Sequence, residues 1–397
     1  MERLSIKNFL CIKEADFEVG RFNIIIGSQA SGKSVISKVL YFFKEIFYKA
    51  KLLSVSEYNV ETTLYKNFKK YFPEYTWKDQ NFQIDYEINN IGISLINTHE
   101  GTIEVVLSDE FVRMTEALEK LNNVEDSLDS ILELTKLKKE FSCLYPVLFI
   151  PATRSFFAIM QKNIFYLLDN DIKIDPFLKK FGSLYENAKR SFIEHDGIVS
   201  KSELQQKTKS IIHSILKGNY FRKDEQDWIE MQTGEIVNLF HSSSGQQESL
   251  PMLIILSVWV SFIDIIDERS NAKIFIEEPE AHLFPVSQKH IISLLGVIYN
   301  HSYDFVLTTH SPYILTAINN AILAQDVIEE KGKEAVKAIF DPDFSIKYED
   351  VNAYTIEDGR LISIMDDEAR FIGATIIDSV SDDFETDFDN LLDLQAE

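Results

Sequence analysis

The stretch FNIIIGSQASGKS, residues 22–34, constrains this chain more than any other. A β-branched apolar run stops at a glycine, and the second half of GSQASGKSVISKVLYFFKEIF carries apolar residues at helical spacing. The loop between them fits G-x-x-x-x-G-K-[ST] in full, in the strand–loop–helix context that the motif requires. Gly27 and Gly32 allow the tight turn that points successive N–H groups at phosphate oxygens, and the helix N-terminus adds a favourable field. Lys33 is expected to reach the β- and γ-phosphates of a nucleoside triphosphate, and the Ser34 hydroxyl to ligate Mg2+. The candidate nucleotide-binding set is Gly27, Ser28, Gln29, Ala30, Ser31, Gly32, Lys33, Ser34 and Val35. A chance glycine turn is the alternative, and it leaves that context unexplained.

A second stretch, IFIEEPEAHLFP (residues 274–285), drives an apolar strand into two adjacent carboxylates and then a proline. Such carboxylates repel, so a metal ion, a solvent-facing strand end or plain composition must account for them. Beside a phosphate loop the pair has a use. Glu277 is expected to hold Mg2+, through water, and Glu278 to orient the attacking water. Glu stands at the metal position where Asp is usual; the extra methylene is tolerable if water bridges carboxylate and metal.

Strands alternate with helices at both ends of the chain, and helical material fills the middle, which argues an α/β nucleotide-binding core. FQIDYEI, GISLI and TIEVVLS read as a small antiparallel sheet; Met114 to Phe141 reads as a helix or short helical hairpin; PVLFIPATRS restores a strand. Residues 157–217 read as largely helical, and the insert is expected to form a lobe or arm. DWIEM, a Thr233-Gly234 turn and EIVNLF read as a hairpin, followed by an apolar helix over 250–266 and a strand YDFVLTTHSP. Four segments are expected: 1–110, the first part of the core; 111–217, the mainly helical insertion with a core strand near 147–151; 218–340, the second part of the core; and 341–397, a small extension with an acidic tail.

Charge narrows the partners. Forty basic residues against 63 acidic ones give −23, a field that repels nucleic acid and anionic lipid unless a local basic patch exists. KNFKK (66–70) and the Lys-rich run 207–223 are the candidate patches, with helix-face lysines for solubility as the plainer reading. From Ser363 onward eleven Asp or Glu face one Arg, a tail that is either solvated or a dock for a basic partner. No apolar run reaches membrane-span length, MERLSIKNF lacks a signal-peptide pattern, and Cys11 and Cys143 have no metal or redox spacing. A cytoplasmic protein with no membrane partner is expected.

With these motifs in order, the sequence resembles ABC-type ATPases, specifically the soluble SMC-like, OLD-related branch in which EEPEAHL and THSP recur. The resemblance covers roughly residues 1–50 and 218–320. It implies an ABC/SMC-like P-loop core with an antiparallel β subdomain and a helical insertion. SSSGQ, Ser242 to Gln246, looks like the ABC signature, with Ser243 and Gly245 as its functional serine and glycine and Gln246 beside them; the leucine and first glycine of the common form are missing. EAHL takes the D-loop position, and His310 matches the switch histidine that contacts γ-phosphate or catalytic water. His282 is given no chemistry. Arg154 occupies a strand end where relatives place a Gln or Arg near the nucleotide, and a core salt bridge is the equal alternative. The resemblance puts Lys7 to Lys13 in the neighbourhood of the adenine and assigns no residue to contact it.

A helix start at Ser243-Ser244-Gly245 is an anion site by physics, and a capping box is the plainer reading of SSSGQQE. In the family that site meets the γ-phosphate held by the opposite subunit. The resemblance thus implies a Mg2+-dependent ATPase working as a head-to-tail homodimer, or a higher assembly of dimers, with Glu278 and His310 catalytic. Compact relatives often serve anti-phage defence beside a separate effector nuclease or toxin. Residues after 320 are too few for the Toprim nuclease of OLD relatives, so a nuclease would be another chain. Rival readings are an SMC-like DNA-repair clamp that binds DNA directly, a transporter's nucleotide-binding subunit, and a nucleotide-locked module that barely hydrolyses.

Overall fold

The computed structural model describes residues 1–50, 60–98, 102–122, 143–160, 174–195, 203–263 and 272–373, with isolated positions at 133, 136, 137, 140, 141, 388 and 391. The remainder of the expected 114–141 helix, and nearly all of the acidic tail from 374 onward, lie outside them.

The fold is α/β, built on one eleven-stranded sheet. The first strands are β1 (Glu2–Phe9), β2 (Ile12–Glu18) and β3 (Phe22–Ile26), and β3 runs into helix α1 (Lys33–Tyr48) through the glycine loop. Helix α2 (Val60–Tyr71) precedes the meander β4 (Asn81–Ile88), β5 (Ile91–Thr98) and β6 (Ile103–Leu107). Helix α3 (Asp109–Asn122), β7 (Val147–Ile150), and helices α4 (Ser155–Met160), α5 (Pro176–His195) and α6 (Glu203–Leu216) follow. Strands β8 (Gly218–Lys223), β9 (Gln226–Met231) and β10 (Ile236–Asn238) form a separate three-stranded sheet, so the expected hairpin has a third strand, β8.

The second half of the core comprises helix α7 (Ser244–Ile263), β11 (Lys273–Glu277), α8 (Pro285–Tyr299), β12 (Asp304–Thr309), α9 (Pro312–Lys331), β13 (Val351–Glu357) and β14 (Arg360–Ser363), with a small pair β15 (Met365–Asp366) and β16 (Phe371–Ile372). Sheet order is β6-β5-β4-β1-β2-β14-β13-β3-β12-β11-β7. Strands β13, β3, β12, β11 and β7 are mutually parallel; β1, β2, β4, β5 and β6 pair antiparallel. The antiparallel half therefore continues the same sheet, and β13, inside the expected small extension, lies directly against β3, the strand that leads into the glycine loop.

Parallel strands covered on both faces must be apolar on both. Ile25, Phe275 and Val306 face one core, shared with α1 and an aromatic cluster that includes Phe9, Phe42, Phe68 and Trp77. Ile24, Ile26, Ile274, Ile276, Phe305 and Leu307 face the other, under α7, α8 and α9. Helices α5 and α6 add Phe181, Tyr185, Ile211 and Ile215 to that second core, so the described helices of the expected insertion are built into the core and do not form an arm.

Ion pairs pin the N-terminal ends of the parallel strands. Arg21 bonds Asp304 at 3.2 Å and Asp350 at 3.0 Å, and buried Lys273 meets Glu2 at 3.4 Å, with Lys44 on the same carboxylate at 3.1 Å. One lysine of each basic run also finds a carboxylate: Lys69 pairs with Glu74 at 2.8 Å, and Lys207 with Asp341 at 3.0 Å and with Asp343.

Candidate nucleotide and hydrolysis site

The sheet order decides which side chains meet. β12 lies between β3 and β11, with Thr309 opposite Ile26 and Thr308 opposite Glu277. The C-terminal ends of three parallel strands thus bring the glycine loop, the paired carboxylates and His310 to one edge, where ligands gather in open α/β sheets.

Within the loop Gly32 has φ 108° and caps α1 in a left-handed conformation that favours glycine, and Ala30 at φ 61° shares the region. Gly32 is also a place of close approach: a Cβ there would lie 2.5 Å from Ile12 Cδ1 and 2.9 Å from Cys11 Sγ. The β1–β2 turn, inside the Lys7 to Lys13 stretch, therefore abuts the loop. The Lys33 ammonium is buried and donates to the Gly27 and Ser28 carbonyls at 2.9 and 2.7 Å. Burial pulls its pKa down, opposed by Glu278 and Glu280. Ser31 Oγ is buried without a partner.

Lys33, His310 and Glu278 form a row. Lys33 Nζ lies 3.3 Å from His310 Nδ1, and His310 Nε2 lies 3.1 Å from Glu278 Oε1. An ammonium can only donate, so the ring assignment that satisfies both contacts has Nδ1 accepting and Nε2–H facing Glu278. Glu278 and His310 remain 38% and 35% exposed, open to a substrate. Glu278 itself has φ 44°, an uncommon conformation for a non-glycine residue, and its N–H donates to the Thr308 carbonyl at 2.9 Å.

Glu277 is placed differently. It is 4% exposed; Oε2 accepts from the Ala152 N–H at 3.3 Å, and Oε1 is buried without a hydrogen-bond partner. Burial raises its pKa, opposed by Lys38 and by the Ser34 hydroxyl. Glu277 thus keeps one buried oxygen with no hydrogen-bond partner on a carboxylate that lies near the Ser34 hydroxyl, a donor set that suits a divalent cation, so the residues present fit Mg2+.

Arg154, whose role the sequence left open between nucleotide contact and core salt bridge, is wholly buried. Its Nη1 donates to the Pro151 and Glu277 carbonyls at 3.0 and 2.7 Å, and its Nη2 to the Glu278 carbonyl at 2.9 Å. Nε donates to the Glu248 carbonyl at 3.0 Å, and Nε and Glu248 Oε1 lie 3.4 Å apart. Glu248 also accepts from the N–H groups of Arg154 and Ser155, at 2.8 Å each. This is the core salt bridge, and it anchors the backbone of both Glu277 and Glu278.

Glu248 belongs to α7, whose start carries the Ser243-Ser244-Gly245 stretch. Ser243 and Gln246 make a capping box: Gln246 N–H donates to Ser243 Oγ at 3.3 Å, and Gln246 Oε1 accepts from Ser243 N–H at 3.1 Å. The Gln246 amide then donates to the Leu216 carbonyl at 2.8 Å, so this side chain serves the helix start and points inward. Ser243 and Ser244 are exposed. Gly245 packs against the loop after β11, where a Cβ would lie 2.7 Å from the His282 carbonyl oxygen.

Two contributors have no separate mark in the sequence. Glu280 accepts from the Thr309 hydroxyl and the His310 N–H, and Glu248 completes the Arg154 pair. Glu280 stands in the same EEPEAHL stretch as the paired carboxylates, which is the signal that could have flagged it. Glu248 reads only as part of a helix start.

Residues 178–315, 138 of the chain's 397, match the family model described as AAA ATPase domain. That span includes the signature stretch, Glu277, Glu278 and His310, and stops short of the glycine loop. No curated protein matches the chain. Among solved structures the chain is similar to an SMC head bound to the C-winged helix domain of ScpA (13% identity, 92% of this chain, 98% of that one, TM-score 0.41). It is also similar to the SMC head domain from Thermotoga maritima (11% identity, 91% and 97%, TM-score 0.36). A third is an SMC head with an extended coiled coil bound to the C-terminal domain of ScpA, from Pyrococcus furiosus (12% identity, 96% and 100%, TM-score 0.40). These scores are low, and the α/β architecture rests on the strand order itself.

Proposed function

We propose that this protein is a Mg2+-dependent ATPase whose sites are completed between two copies of the chain. The observation that carries this reading is the convergence at one sheet edge of the glycine loop, the Lys33–His310–Glu278 row and the partnerless oxygen of Glu277. The loop N–H groups and Lys33 bind the triphosphate; for that, the Lys33 ammonium exchanges the Gly27 and Ser28 carbonyls for phosphate oxygens. Ser34 and Glu277 would hold Mg2+, which supplies neutralising charge to the phosphates.

Glu278 orients a water for attack on the γ-phosphorus and takes its proton as the bond to the ADP oxygen breaks. His310 stands between Lys33 and Glu278, where its Nε2–H can turn from the carboxylate to a γ-phosphate oxygen. Arg154 keeps the Glu277 and Glu278 backbone fixed while this happens.

The homodimer is supported by what surrounds the motifs. Ser243 and Ser244 are exposed at a helix start, and exposed aromatic residues flank the serine-glycine, carboxylate and histidine stretches: Phe240 at 48%, Phe284 at 75% and Tyr313 at 53%. Such rings beside a polar site suit a surface that a second copy covers. Coupling of the nucleotide cycle to a separate effector in anti-phage defence, in the cytoplasm, is the finer reading and rests on the family resemblance alone. Among the described residues no helix is long and apolar enough to cross a membrane. The test is ATP binding and turnover for wild type and Lys33→Ala. Wild type is expected to hydrolyse ATP and the variant to lose binding; turnover unaffected by Lys33→Ala would remove the reading.

A further inference from the structure

Glu280 sits where three parts of the proposed site meet. Its Oε1 accepts from the Thr309 hydroxyl at 2.6 Å and from the His310 N–H at 2.8 Å. The residue is 7% exposed, and its Oε2 is buried without a hydrogen-bond partner. Thr309 Oγ1 in turn accepts from the Ser311 N–H at 2.9 Å, so one carboxylate fixes the turn in which β12 ends and α9 begins. The backbone of that turn carries His310.

The other side of the same loop touches α7. Leu283 N–H donates to the Glu280 carbonyl at 2.9 Å, closing a tight turn in which His282 has φ 59°. The His282 carbonyl then lies against Gly245. Gln288 adds a second tie, donating to the Leu283 carbonyl at 2.9 Å while it accepts from the Ser311 hydroxyl at 2.5 Å. A movement of the α7 start is therefore met by the 280–283 turn, and that turn holds the segment bearing His310.

A buried carboxylate with an idle oxygen is a costly way to brace a turn, since a neutral acceptor would do as well for bracing alone. Its charge does strengthen the hold on the two donors. We infer that Glu280 is a positioning residue for the hydrolysis proposed above: it fixes His310 between Lys33 and Glu278 and links that position to the Gly245 end of α7. This inference rests on the ATPase reading for its consequence, and on the hydrogen bonds alone for the hold on His310.

The experiment compares wild type, Glu280→Ala, Glu280→Gln, His310→Ala and the Glu280→Ala/His310→Ala pair. ATP turnover, nucleotide affinity and the His310 ring resonances by NMR are read for each. Glu280→Ala is expected to lower kcat by ~10- to 100-fold while nucleotide affinity stays within about twofold, because a misplaced histidine costs rate and leaves Lys33 intact. Glu280→Gln, which keeps an acceptor oxygen without the charge that strengthens the hold, is expected to recover part of that loss. In the His310→Ala background Glu280→Ala is expected to add nothing, the signature of a residue that acts through another. The His310 resonances are expected to move in Glu280→Ala. An unchanged kcat, a full additional loss in the double variant, or unmoved His310 resonances would overturn the inference. Absent turnover in wild type would instead remove the ATPase reading, and the NMR arm would still decide the hold on His310. Should Glu280→Ala not fold, Thr309→Val removes one of the two donors, and the same losses are expected from it in smaller measure; an unchanged kcat and unmoved resonances there would overturn the inference equally.

Discussion

Arg154 and Glu248 form an ion pair with both side chains buried, 3.4 Å between Nε and Oε1, at the seam between the carboxylate strand and the helix that starts at the exposed serines. Every nitrogen of the guanidinium donates, to the carbonyls of Pro151, Glu248, Glu277 and Glu278. Removing one partner of such a pair leaves the other charge buried and alone, which costs about 3–5 kcal/mol. Glu248→Ala and Arg154→Ala are each expected to lose about that much in urea unfolding, and the double variant to lose less than their sum. A loss below ~1 kcal/mol in either single variant would show that the pair does not hold the seam.

Glu277 makes a pH signature. Burial puts its folded pKa above the ordinary 4.5, so between 4.5 and that raised value the folded state holds a proton that the unfolded state has lost. Its contribution to stability therefore falls as pH rises through that window. Glu277→Gln removes the buried charge and is expected to raise the melting temperature of the nucleotide-free protein at neutral pH, by the equivalent of about 1–2 kcal/mol, while weakening Mg2+-dependent nucleotide binding. Melting curves of both proteins across pH check this. A variant less stable than wild type at neutral pH, or one that binds Mg2+ and nucleotide as wild type does, would contradict the assignment.

How much of this was legible in the sequence depends on how local the determinant is. The FNIII strand, the glycine loop and the helix from Lys33 are consecutive, and period and motif locate them. Glu277, Glu278 and His310 stand at the ends of continuous apolar runs, which a sequence also shows. Nothing local marks the neighbours of those strands. β13 lies beside β3 although Val351 and Phe22 are far apart in the chain, and the segment that holds it read as an extension. Arg154 left two readings open because a strand-end arginine looks the same in either; only the fold supplies Glu248. The Lys33–His310 contact depends on β12 lying between β3 and β11, which sheet topology decides.

Gly245 tests the contact between α7 and the 280–283 turn. A methyl added there meets the His282 carbonyl oxygen at 2.7 Å, a backbone atom that cannot swing aside. Gly245→Ala is expected to destabilise by about 1–3 kcal/mol and to lower ATP turnover with it. Thermal melting and steady-state kinetics check both. A neutral substitution would mean that the turn and the helix start are not in firm contact.

Glu2 gives the opposite pH sign. Burial works against its ionisation, but Lys273 and Lys44 outweigh burial and hold its carboxyl below the usual range. Its stabilising contribution is present above the unfolded pKa and is lost as pH falls through the folded one. Glu2→Gln is expected to destabilise at neutral pH by about 2–4 kcal/mol, because two buried ammonium groups lose their shared partner, and to reduce the acid sensitivity of unfolding. Equal acid sensitivity in the two proteins would contradict the pairing.

Whether the ATPase site is completed between two copies is decided by the mass and ATP turnover of wild type and Glu278→Gln, each with and without ATP and Mg2+, and with and without DNA. Glu278→Gln keeps the loop, Lys33 and Glu277, and loses only the carboxylate proposed to take a proton from water. It is expected to bind ATP, to turn over at least ~100-fold more slowly than wild type, and to accumulate as a dimer or larger assembly in ATP. DNA is expected to leave turnover unchanged; strong stimulation would move the function to a DNA clamp. A variant that neither binds nucleotide nor changes mass in ATP would rule out a site shared between two copies.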